Sequence, residues 1–259
     1  MKAKKLLMTL VAVVIMVPSF QSCKKGENDP GISFSSRQAR AAGEWTVSNM
    51  SMENTYTDDD GDVSKMESTY SGSTETVIST NVDGDKVTTV YTYSERMITL
   101  EKDGNYSETW TRRKTSVAVD YADASITDPP ATILEDQLDG GIAETMTKTG
   151  TWSFLTADDA AGYKNKERII FNVTSQTESG PDQYFDPSTF EFLWGTETTT
   201  ESMGNGEMST IVPITQLKGK EMIVEGDFAG SWDYMTTDPN GFEGNDSYTN
   251  SFSMTLTQD

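Results

Sequence analysis

An all-β, antiparallel fold is predicted for this chain beyond about Glu44: a meander of about eight strands curling shut into a barrel. Three observations predict it. Apolar residues recur at every second position. Asp-Gly and Lys-Gly pairs fall between the alternating runs, as hairpin turns require. Threonine crowds the outward positions, where β-propensity favours it.

The segments before the strands read differently. Lys2, Lys4 and Lys5 precede an apolar run over residues 6–17, which is shorter than the ~20 residues a membrane-spanning helix needs. Residues 1–22 are therefore expected to be a secretory leader. It ends just before Cys23, the only cysteine, an arrangement that resembles a bacterial lipoprotein signal, whose lipidated cysteine becomes the first mature residue. Residues 23–36 are polar, have little to bury and serve as a flexible tether. Acyl chains on Cys23 would each contribute ~0.8 kcal/mol per buried methylene, enough together to hold a soluble domain at a bilayer. The alternative is an inert thiol in an ordinary secreted protein.

Residues 37–259 form the barrel domain. A short helix is predicted within residues 35–45, with Ser35 or Ser36 as cap, alanines and Gln38 inside, and Gly43 as terminator. It leads into a strand at Trp45 whose apolar phase shifts between Val47 and Met50, predicting a bulge near Asn49. Further strands follow in KVTTVYTY (Val87, Tyr91, Tyr93 inward), ERIIFNV (Ile169, Phe171, Val173) and EMIVEGDF (Met222, Val224, Phe228). The C-terminal SYTNSFSMTLTQ places Tyr248, Phe252, Met254 and Leu256 on one face. Turns are expected at 82–86, 102–106 and 217–221, with both residues of each Asp-Gly pair at positive φ. Long connections at 125–141, 180–207 and 230–247 are read as loops, and loops of that length are usually functional.

Composition narrows the chemistry. The net charge of −21 argues against nucleic acid or an anionic lipid surface as partner. There is no histidine, which removes the common general base, histidine-activated nucleophiles and the usual zinc sites. No dinucleotide fingerprint, phosphate loop or nucleophile elbow is present. No catalysis and no cofactor are expected.

Two stretches are candidate sites. In YTDDDGDVSKME, the residues Asp58, Asp60, Asp62 and Glu67 offer hard oxygen ligands for calcium, but a solvated hairpin tip explains the same residues and is the reading preferred. The aromatics Tyr184, Phe185, Phe190, Phe192 and Trp194 form either a lid or stacking platform for a sugar or apolar molecule, or the inward face of another strand. Trp232 and Tyr234, in GSWDY, belong to a third Gly-x-Trp or to a rim turn.

Gly43 and Trp45 after a short helix resemble the Gly-x-Trp start of lipocalins. The later Asp103-Gly104 hairpin and second Gly-x-Trp, Gly150 and Trp152, followed by a closing strand pair, are similar to the lipocalin-like lipoproteins of Bacteroidota. The resemblance implies a barrel with both tryptophans structural and a small apolar or amphipathic ligand bound without chemistry. It also implies a lipid anchor in an outer membrane, on the periplasmic face or the cell surface. A surface adhesin or glycan-capture module is the second function class the aromatic insertions permit.

Overall fold

The computed structural model describes residues 37–123, 139–155, 167–188, 191–204, 206–235 and 243–258. Cys23 and the leader lie outside these residues. A helix α1 (Arg37–Ala41) precedes the strands β1 (Gly43–Thr57), β2 (Val63–Ser71), β3 (Thr74–Thr80), β4 (Lys86–Leu100) and β5 (Asn105–Asp120). After a single 3-10 turn at Asp139–Gly141 come β6 (Ala143–Leu155), β7 (Glu167–Asp186), β8 (Glu191–Ser202), β9 (Met208–Lys218), β10 (Glu221–Met235) and β11 (Glu243–Thr257).

The strands form one antiparallel sheet in the order β6-β5-β4-β3-β2-β1-β11-β10-β9-β7-β8. A ladder between β6 and β7 closes ten of them into a barrel, with β8 added outside the ring on β7. The count is ten and not about eight for a local reason. The first residues of β1, Gly43 to Thr46, pair directly with Leu100 to Met97 of β4. The ladders of the β2–β3 hairpin reach only down to Asn49 on β1 and Thr92 on β4. The barrel is thus ringed by eight strands at its lower end, and the hairpin is wedged in above to widen it.

An eight-stranded interior is just wide enough for side chains to fill. Here Trp45, Leu100, Ile169, Leu217 and Met222 fill it, each less than 2% exposed. Helix α1 lies against this end: Ala41 is fully buried in the core, and Arg40 Nη1 donates to the Leu217 carbonyl at 2.8 Å. The Trp45 indole donates to the Ala41 carbonyl at 2.7 Å, so it caps the helix from inside the barrel. The second tryptophan repeats the device. Trp152 Nε1 donates to the Glu101 carbonyl at 2.9 Å, and its backbone N–H to the Gly104 carbonyl at 2.8 Å, which fixes the β4–β5 turn. A Cβ at Gly150 would run into the Asn172 carbonyl, so the glycine is required by the close approach of β7.

The expected bulge is present: register shifts between Val47 and Asn49, leaving Ser48 unpaired with its hydroxyl on the Thr255 carbonyl at 3.1 Å. The turns differ from expectation. In the Asp58–Asp62, Asn81–Asp85 and Glu101–Asn105 tips, the first residue's N–H bonds to the fifth residue's carbonyl, and a glycine at the fourth position alone takes positive φ. These are three-residue loops ending in a glycine bulge, not two-residue turns with positive φ at both centres.

Two of the three long connections are largely strand. Residues 180–186 and 191–202 pair as β7 and β8, and 230–235 with 243–247 as β10 and β11. Of the segment 125–141, only Asp139–Gly141 falls in the described residues. Gly230-Ser231-Trp232 sits inside the β10 ladder, Trp232 opposite Asp246, and is not a rim turn.

Candidate ligand site at the barrel mouth

Beyond the bulge, β1 turns its even-numbered residues inward. Met50, Met52, Asn54 and Tyr56 face Tyr70, Ser68, Met66 and Ser64 on β2, and Met254, Phe252, Asn250 and Tyr248 on β11. Across the barrel, β5 contributes Trp110 and Arg112 opposite Met146 and Glu144 of β6. The inserted hairpin makes this section wider than the apolar floor below it.

A charged network occupies the middle level. Glu75, only 5% exposed, accepts from Ser68 Oγ at 2.6 Å, from the Tyr93 hydroxyl, and from Arg112 Nη1 at 3.4 Å. Arg112 also donates to Glu144 through Nε and pairs with it through Nη2, both at 2.7 Å. Its guanidinium lies over the rings of Tyr91 and Trp110, with centroids at 3.9 and 4.8 Å. Arg96 stacks on Tyr70 and Tyr93 at 4.7 and 5.0 Å and donates to the Met50 sulfur. Lys114 pairs with Asp139 at 2.6 Å; Asp139 is the one non-glycine residue at positive φ among the described residues.

Burial decides the titration of these groups. Desolvation, and then the bond it donates to Glu75, push the Tyr93 phenol above the usual tyrosine range. Burial likewise raises Tyr70 and Tyr91. For Arg112 burial works toward neutrality, but Tyr93 and Glu144 outweigh it and keep the guanidinium charged.

Above the network lies an open recess of about 460 Å³, lined from inside by Asn54, Tyr56, Met66, Val87 and Tyr248 and bordered by Asp85. Tyr248, expected in the core, is 41% exposed because it stands at this rim. Val63, Val82, Tyr121 and Tyr184 are also exposed, at the turns or strand ends of the same end of the barrel. Helix α1 is at the opposite end.

The sequence candidates disperse. Asp58, Asp60 and Asp62 belong to one tip, where Asp58 Oδ1 accepts from the Asp62 N–H at 2.8 Å. Glu67 is down the strand opposite Glu53, on the outer face, so the calcium set does not converge. Among the described residues, no group of three or more acidic, histidine or cysteine side chains could hold a metal ion. Tyr184 pairs with Leu193 and Trp194 with Gln183, so the two aromatics occupy opposite faces of the β7–β8 hairpin and do not form one platform. Tyr184 is 49% exposed, while Trp194 is half-buried, and a Cβ at Gly140 would press against its ring. Phe190 lies outside the described residues, as do the side chains of Phe185, Phe192, Trp232 and Tyr234.

The sequence did not expose Glu75, Arg112 or Glu144 as a unit. The available signal was phase: Arg112 follows Trp110 by two residues and must share its inward face.

The outer wall has a second concavity of about 650 Å³, running across β2, β1, β11, β10 and β9 and lined by Glu53, Glu67, Glu225 and Asp227 with several serines. No protein-family model, curated relative or solved structure matches the chain.

Proposed function

We propose that the protein is a lipocalin-like, lipid-anchored carrier that holds a small apolar or amphipathic molecule in its mouth and performs no chemistry on it. The observation that carries this is the polarity of the barrel. One end is packed solid under α1, and the other opens into a recess between tyrosine, methionine and valine side chains. The described chain begins at Arg37 on the solid end, so a tether from an acylated Cys23 would attach there, and the mouth would face away from the bilayer. Residues 23–36 together span at most about 50 Å. The non-catalytic reading is supported by the inward carboxylates: the buried Glu75 and the partly buried Glu144 are each held by donors within the wall.

Native mass spectrometry of protein purified from its host tests this reading. A co-purifying molecule of lipid size in a one-to-one complex supports it, and a bare chain opposes it. Palmitate-analogue labelling that survives Cys23→Ala would oppose the anchor.

A second reading, glycan capture at the same rim, is favoured by the exposed rings of Tyr121, Tyr184 and Tyr248. It expects an empty barrel and retardation in polysaccharide gels.

A further inference from the structure

Resting on the carrier reading, we propose that the bound molecule is an amphiphile with one carboxylate head, which enters head first and docks on Arg96 while its tail rises to the recess. The observation behind this is a guanidinium inside the barrel whose hydrogen-bonding capacity the protein leaves unused. Arg96 Nη1 is buried and has no hydrogen-bond partner. Its neighbour Nη2 donates to Met50 Sδ at 3.1 Å, and a thioether is a weak acceptor. The rings of Tyr70 and Tyr93 attract the charge from 4.7 and 5.0 Å, but they do not replace an oxygen acceptor. Among the described residues Arg96 forms no ion pair.

Arg112 is the useful comparison. It also stacks on two rings, Tyr91 and Trp110, yet two carboxylates, Glu75 and Glu144, take its N–H groups. Arg96 has the rings without the carboxylate. Glu75, which the Tyr93 hydroxyl touches, is already engaged by Ser68, Tyr93 and Arg112. A charged donor left without an acceptor in the interior is costly, and a planar carboxylate is the group whose two oxygens match the edge of a guanidinium.

The lumen leads from the recess to this arginine. Tyr56 and Asn54 line the recess, and the next inward residues down β1 are Met52 and Met50, with Phe252 and Met254 beside them on β11. These last four point inward yet are only half-buried, so this stretch of the interior is not filled. From Asn54 down to Met50 the strand covers about 13 Å. Thioethers and one aromatic ring make that stretch a lining for an alkyl chain. Below Arg96 on β4, Ile98 and Leu100 are buried and close the floor. The acidic exterior opposes an anion from a distance, but exposed charges are screened within ~8 Å in physiological salt, and a partly buried pair much less.

Octanoate, octanol and octylamine share an eight-carbon chain and differ in head charge at pH 7. Each is titrated into the mature chain purified free of host lipid, and binding is followed by calorimetry and native mass spectrometry. One octanoate per chain is expected, held about tenfold or more tighter than octanol, with octylamine weakest. Arg96→Gln should lower octanoate to the affinity of octanol and leave octanol unchanged. Arg96→Lys should recover only part of the difference, because an ammonium cannot make the paired contact. A readout on the unaltered protein covers the case in which these variants do not fold: octanoate labelled with carbon-13 at its carboxyl, followed by NMR, should stay ionised to a lower pH when bound than in water.

Octanol or octylamine bound as tightly as octanoate would overturn the head-group inference and leave the carrier reading standing. So would an octanoate preference that survives Arg96→Gln, or a bound label that titrates like the free acid. Binding of none of the three would overturn both.

Discussion

Arg112 grips Glu144 with two nitrogens at 2.7 Å, so a strand β5 guanidinium and a strand β6 carboxylate are locked together inside the barrel wall. The remaining nitrogen reaches Glu75 and the Tyr93 hydroxyl across the interior. One buried carboxylate, Glu75, and one partly buried, Glu144, therefore share one cation. Removing it strands them both, a change that typically costs about 3–5 kcal/mol. Arg112→Leu is expected to lower the urea midpoint sharply with little change in slope. Lysine should not rescue it, because an ammonium cannot make the paired contact. Adding Glu75→Gln and Glu144→Leu to Arg112→Leu should recover much of the loss, since no charge is then left buried.

Gly150 and Gly72 separate two kinds of glycine. At Gly150 a Cβ has no room beside the Asn172 carbonyl, and backbone cannot yield as a flexible side chain would. Gly150→Ala is expected to cost about 3 kcal/mol or more. Gly72 stands in open space at φ +64°, so Gly72→Ala meets only the left-handed penalty, about 1–2 kcal/mol. Thermal melts of the two variants give the comparison directly.

Alkaline pH should unfold the protein through its tyrosines. Burial raises the phenols of Tyr70, Tyr91, Tyr93 and Tyr106 above the ordinary tyrosine value of 10.0. Where the folded pKa lies above the unfolded one, the folded state keeps protons that the unfolded state releases. The associated stability is fully present below pH 10 and is lost as pH climbs toward the folded values. An absorbance titration at 295 nm should show a block of tyrosines that ionises only together with the loss of β-sheet circular dichroism. A block that ionises while the sheet signal is intact would contradict the burial argument.

Much of the lower barrel was legible because its chemistry is simple. Val47, Ile169, Val173, Met222, Val224 and Leu256 fall in the period-two phase of their strands, and each is buried on the face that phase assigns. The two Gly-x-Trp motifs and the bulge at Ser48 followed from residue size and phase. The upper barrel was harder to read for physical reasons. Glu75, Arg112, Lys114 and Glu144 point inward from positions that hydropathy assigns to solvent. In β8, threonines and glutamates supply both faces, so no alternation marks Thr196 to Ser202 as strand. The widening from eight strands to ten depends on where the β2–β3 hairpin stops pairing, and pairing partners are not written in a single strand's composition.

The claim on which the functional reading turns is that the mouth, and not the solid end, houses the bound molecule. Hydrogen exchange read by mass spectrometry, on protein taken from its host before and after organic extraction, tests it most directly. Extraction is expected to speed exchange in peptides covering Asn54 to Tyr56, Ser64 to Met66 and Val87, while Trp45 to Val47 and Ile98 to Leu100 stay as protected as before. Unchanged exchange at the mouth, or loosening confined to the tryptophan end, would contradict it.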